Sequence, residues 1–141
     1  MLFITQLRHE HDLLLTLADE LESACSGERP DDLTPLLVLL ERFNQLLQIH
    51  LLREDSVLYP AMIEGEDPDA ATLAILFQDE LGGLDRHLAE FDAKWANADI
   101  STRWFEFCLE IAGLAAELRL RIERENEELY PLAERCPRLA A

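Results

Sequence analysis

The chain has 141 residues, 49% of them hydrophobic, and a formal charge of −17 from 29 acidic against 12 basic side chains. That length suits one domain, residues 1–141, around one hydrophobic core, and no apolar run approaches the ~18 residues that a membrane span needs. So large an excess of negative charge repels phosphate backbones and anionic lipid, which excludes nucleic acid and membrane surfaces as partners but leaves a basic protein partner open.

The opening MLFITQLRHEHD has no basic flank and no small-residue cleavage site, and Gln6 and Arg8 interrupt its apolar run. It does not read as a signal peptide, and the cytoplasm is the expected compartment. Cys25, Cys108 and Cys136 are odd in number and widely spaced, which suits reduced thiols.

Four helical segments are predicted, separated by Gly27–Asp32, Gly65–Asp69 and Asn97–Thr102, each of which combines turn formers with residues suited to capping a helix. Helices of roughly 25 to 33 residues on such short loops favour an all-α, up-down-up-down antiparallel four-helix bundle. The first segment carries the stripe Leu7, His11, Leu14, Ala18, Leu21, Cys25, which places His11 on the core face and His9 on the far side. The second runs Leu36, Leu40, Phe43, Leu47, His50, Glu54, Val57, Ala61, so His50 and Glu54 point inward one helical turn apart. In the third, Leu73, Leu76 or Phe77, Glu80, Leu84, His87, Phe91 and Trp95 share a face, with Gly82-Gly83 weakening its middle. The fourth runs Phe107, Ile111, Leu114, Leu118, Arg121, Glu125, Leu129, Leu132.

Every segment therefore carries an ionisable residue in its core stripe. A lone inward histidine is commonly a hydrogen-bonded core residue, but an unpaired buried carboxylate costs several kcal/mol. Glu54 and Glu125 must meet a cation, a proton or strong donors. His11, His50, His87, Glu54 and Glu125 form a ligand set for iron, zinc or manganese. The competing arrangement is a polar network in which Arg121 pairs with both carboxylates and the histidines donate hydrogen bonds. Antiparallel neighbours at equal height lie symmetrically about their loop, and the His11/His50 and His50/His87 pairs are centred on predicted loops. The His87/Arg121 pair is centred on Trp104, beyond the third break.

Two stretches repeat each other: HLLREDSVLYP, His50 to Pro60, and RIERENEELYP, Arg121 to Pro131. The first opens on a possible ligand and the second on a fixed cation. Pro60 and Pro131 are expected to kink or end their helices, and Tyr59 and Tyr130 to pack at helix ends or to bond groups of the site.

These features resemble the hemerythrin-like, or HHE cation-binding, domains along nearly the whole chain. The resemblance rests on His9-Glu10-His11-Asp12, the His50-to-Glu54 pair with its trailing Leu-Tyr-Pro, Arg86-His87-Leu88-Ala89-Glu90-Phe91, and the Glu125 segment with its own Leu-Tyr-Pro. It implies a four-helix bundle holding two carboxylate-bridged irons, with activity in binding or sensing dioxygen, nitric oxide, peroxide or iron. The ligands it implies are His11, His50, Glu54, His87 and Glu125, with a further histidine replaced here by Arg121. A guanidinium in that place removes a ligand and repels a second ion, so one iron, another divalent metal or an empty site is expected rather than an iron pair.

Two functions stay open: a non-heme iron protein that binds or senses a small diatomic ligand or oxidant, and a metal-free four-helix module acting through a protein partner. The second draws on a local likeness of the Arg121-to-Glu125 segment to the regulator of sigma-D family. No nucleophile triad, phosphate loop or dinucleotide fingerprint is present, oxidase chemistry stays open, and nothing sets the oligomeric state.

Overall fold

The computed structural model describes residues 2–140. Helix α1 is Phe3–Ala24. Helix α2, Thr34–Arg53, passes through a π turn, Glu54–Leu58, into α3, Tyr59–Ile63. Helices α4, Pro68–Leu81, and α5, Leu84–Asn97, make the third rod. Helix α6, Trp104–Arg124, passes through a second π turn, Glu125–Leu129, into α7, Tyr130–Ala133, and a 3-10 turn, Pro137–Leu139, comes after it. The rods alternate in direction: Arg8 reaches Glu134 and Arg119 reaches Asp19, so numbers rise along α1 as they fall along the fourth rod. The chain is an all-α four-helix bundle, and among the described residues there is no strand. No helix among them is long and apolar enough to cross a membrane.

The breaks fall where turn chemistry places them. The Asp67 carboxylate accepts the Asp69 N–H at 3.0 Å while Pro68 opens α4, and Asp32 accepts the Thr34 N–H at 3.0 Å at the start of α2. The glycine pair does more than weaken the third rod: α4 stops at Leu81 and α5 starts afresh at Leu84.

Neither proline ends its rod at once. Proline lacks an N–H, and in an α-helix its ring would press on the carbonyl four residues back. The chain widens instead, with Tyr59 N–H bonding Glu54 O and Tyr130 N–H bonding Glu125 O, both spanning five residues, and helix resumes for about a turn. The wide turn also shifts the phase of the residues within and beyond it. Val57, expected on the core stripe, is 44% exposed, and its neighbour Leu58 takes the buried place.

The core is split in two. Leu14, Leu47, Leu51, Leu84, Leu118 and Ile122 belong to one apolar cluster, and Leu7, Leu58, Phe77 and Leu129 to the other. Between them in sequence on the first, second and fourth rods lie His11, Glu54 and Glu125, with His50 and Arg121 one turn before the two glutamates, and all five are buried. On the third rod the same interval, from Phe77 to Leu84, holds the glycine break.

Candidate metal centre

Four side chains converge in the polar layer. His11 from α1, His50 from α2 and the two glutamates that begin the π turns, Glu54 and Glu125, each offer one ligand atom, and these atoms lie within 4.8 Å of one another. None is more than 1% exposed. The rings of His11 and His50 are tilted at a centroid distance of 4.7 Å.

Hydrogen bonding fixes which nitrogen of each histidine faces the cluster. His50 Nδ1 lies 2.8 Å from Glu10 Oε1, and a carboxylate oxygen only accepts, so Nδ1 carries the proton. Glu10 is itself buried and held by Arg53. His50 Nε2 is then a lone pair. It lies 3.2 Å from Glu54 Oε1, yet it makes no hydrogen bond. His11 repeats the pattern: Nδ1 lies 2.8 Å from Asn126 Oδ1, and Nε2 faces Glu125 Oε1 at 3.1 Å and the Tyr130 hydroxyl at 3.0 Å. Tyr130 has one proton and a closer acceptor, Glu54 Oε2 at 2.6 Å. Two imidazole lone pairs and two carboxylate oxygens thus point at one another, an arrangement that a cation satisfies and that apolar burial penalises.

Arg121 closes the other side of the carboxylates. Its Nη2 donates to Glu54 Oε1 at 3.1 Å, its Nε to Glu125 Oε2 at 3.2 Å, and its Nη1 to the Leu81 carbonyl at 3.3 Å. That carbonyl ends α4 just before the glycine pair, so the break supplies an acceptor where an unbroken helix would have bonded its own. The tyrosines cross over between the repeats. Tyr59 of the first donates to Glu125 Oε2 at 3.1 Å, and Tyr130 of the second donates to Glu54. Five residues separate each glutamate from its tyrosine, and only the wide π turn, which advances less per residue than the ~100° of an α-helix, brings both to one face.

The two carboxyl groups are shifted in opposite directions. Burial pushes the Glu54 carboxyl up, but a proton taken up by His50 when no cation is bound, followed by the Arg121 charge, outweighs it and holds the group at about 2. For Glu125, burial and the Glu54 charge outweigh His11 and Arg121, and its pKa rises above the usual carboxylate range. Burial and the two carboxylate charges also drive both tyrosine pKa values upward, keeping their hydroxyls protonated as donors.

His11, His50, Glu54 and Glu125 are therefore brought together, and His87 is not. His87 is 42% exposed at its side chain and bonds Glu117 at 2.8 Å through Nδ1. The expectation that it faces the core fails for two reasons. The buried stripe of α5 is Leu84, Leu88, Phe91, Trp95, so Leu88, four residues after Leu84, takes the core position and His87 falls on its edge. The His87/Glu117 pair is centred on Thr102, inside the third break, so His87 stands above Arg121 rather than level with it. Leu76 is likewise exposed, and Glu80 lies outside the core, bonded to Arg124. Glu10 is the residue that the stripe reading passed over, although Leu7, Glu10 and Leu14 keep helical spacing and placed it in view.

The family model described as the hemerythrin HHE cation binding domain matches residues 2–133. No curated protein and no solved structure matches the chain.

Proposed function

The chain belongs to the hemerythrin HHE cation-binding domain family, and on that premise we propose that it holds one non-heme iron and binds or senses dioxygen, nitric oxide or an oxidant. His11, His50, Glu54 and Glu125 would be the ligands, through Nε2 of each imidazole and one oxygen of each carboxylate. The single observation that carries this reading is the orphaned Nε2 of His50, a buried lone pair whose ring is locked by Glu10 and which has no donor among the described residues. Mixed nitrogen and oxygen donors suit iron among several divalent metals, and when bound it would supply a redox-active centre with an open position for a small molecule.

The rest of the chemistry belongs to the chain. Arg121 offsets one of the two carboxylate charges, so a first divalent ion meets a net negative site, whereas a second would face both that ion and a fixed cation. Tyr59 and Tyr130 hold one oxygen of each carboxylate, leaving Glu125 Oε1, and Glu54 Oε1, which Arg121 also holds, to turn toward a metal. Near-complete burial of all four ligands favours a diatomic molecule or peroxide over a bulky substrate, and neither of two surface cavities, of about 640 and 530 Å³, is lined by any of them. Free thiols at Cys25, Cys108 and Cys136 accord with work in the cytoplasm.

Anaerobic loading with ferrous iron, metal analysis and absorption spectroscopy on admitting oxygen test the reading. About one iron per chain and a new charge-transfer band are expected. Two irons would refute the role given to Arg121. A metal-free regulatory module is the second reading, favoured by the guanidinium that already bridges both carboxylates. Failure to retain any metal, with stability unchanged by loading, would select it.

A further inference from the structure

Helix α6 is apolar on both sides. Its inner stripe fills the core, as expected, but its outer face is also uncharged from Phe105 to Leu120: Phe105, Leu109, Ala112, Gly113, Ala116 and Leu120 succeed one another at helical spacing and are all exposed. Phe105 is 75% exposed and Leu109 57%. An apolar stripe on the outward side of a helix, besides the one that faces the core, is ordinarily covered. Gly113 is a second, independent sign. It lies in the middle of a long helix, where glycine costs about 1 kcal/mol relative to alanine. Its φ is not positive, and a Cβ built there would meet nothing within 4 Å. Neither the backbone nor the packing of this chain accounts for a glycine there, whereas close approach of another helix would.

We propose that this face is the seam of a dimer formed by two copies of this chain, with the two α6 helices antiparallel across a two-fold axis. The stripe is self-complementary in that arrangement. Phe105 meets Leu120 of the second copy, Leu109 meets Ala116, and Ala112 and Gly113 cross at the axis, where small residues permit close contact. Charge at its ends also matches. Arg103 precedes the stripe and Glu123 lies just beyond it, and an antiparallel pairing sets each against the other twice. Arg103 binds Glu106 through Nε and Nη2 and lies over the Trp95 ring at 5.2 Å, and among the described residues its Nη1 makes no hydrogen bond and Glu123 forms no ion pair. The acidic flank that the pairing brings together is already answered within each chain, Glu110 by Lys94 at 2.5 Å and Glu117 by His87. The seam is only about 24 Å long at 1.5 Å per residue, so its area lies at the low end for protein interfaces and the dimer dissociates on dilution. With −17 on each copy, added salt favours association by screening the long-range repulsion.

Sedimentation velocity of the full chain from about 10 μM to about 1 mM tests the proposal. A monomer–dimer equilibrium that shifts toward dimer with salt is expected. Gly113→Leu has room in the monomer and improves helix propensity, so it folds as wild type by circular dichroism while weakening the dimer about tenfold or more. Arg103→Glu and Glu123→Arg each weaken it, and the double variant recovers association. A chain that stays monomeric at the highest concentration, a dimer indifferent to Gly113→Leu, or charge reversals that fail to compensate would overturn the proposal.

Discussion

The two Leu-Tyr-Pro repeats share one pattern and diverge at their first residue. In the half that opens on His50, the side chain four residues before the glutamate is a neutral ring with a free lone pair aimed at the cluster. In the half that opens on Arg121, it is a guanidinium that forks onto both carboxylates. The later positions that build the centre are alike: a glutamate at the start of a π turn, a tyrosine that crosses to the opposite glutamate, and a proline that forces the wide turn. A shared backbone device can thus present either a ligand or a charge, and the choice alters the electrostatic needs of the centre more than its shape. The supports differ too. His50 rests on the carboxylate of Glu10, whereas His11 rests on the amide of Asn126.

Removing the guanidinium breaks the comparison most severely. Arg121→Leu leaves two buried carboxylates without their cation, and the metal-free protein is expected to lose ~3–5 kcal/mol in urea unfolding, partly recovered by a divalent metal. A loss below about 1 kcal/mol would mean that the carboxylates settle their charge without it. Making the halves alike sharpens the comparison instead: Arg121→His is expected to raise iron retention from about one toward about two ions per chain. Unchanged stoichiometry would show that Arg121 is not what separates the halves.

The supports come next in size. Glu10→Gln is expected to weaken metal binding by about 10- to 100-fold, because it withdraws the carboxylate that orients His50, and Asn126→Ala is expected to cost less. Competition against a coloured chelator ranks them; the reverse order would place the stronger ligand in the other half. The smallest effects belong to the tyrosines. Tyr130→Phe removes a 2.6 Å bond to a carboxylate and is expected to cost ~1.5–3 kcal/mol, and Tyr59→Phe, at 3.1 Å, nearer ~1 kcal/mol. Equal losses by thermal and urea unfolding would remove this difference between the repeats.

Much of this was legible before any fold. Apolar residues at alternating threes and fours set four amphipathic rods, proline, glycine and aspartate set their ends, and an inward glutamate among leucines announced a compensated charge, since burial without a partner is too costly. His11, His50, Glu54 and Glu125 followed from that rule, and the structure brings them together. His87 did not, because Leu88, four residues after Leu84, takes the core position that a step of three had given to His87. Val57 misled for another reason: a π turn takes in an extra residue, and period 3.6 holds only while every turn is α.

The sequence by itself determined the rods, their order and the need for a cation within the core, because periodicity and the cost of buried charge are local and chemical. Tertiary structure alone decided which atoms meet. The crossing of Tyr59 and Tyr130, the hold of Glu10 on His50 and the reach of Arg121 to the Leu81 carbonyl each join residues far apart in the chain, as the 40-residue separations of the last two illustrate. Such contacts depend on how far one rod slides and turns against the next, and a shift of one residue along a helix rotates a side chain by ~100° and carries it out of reach.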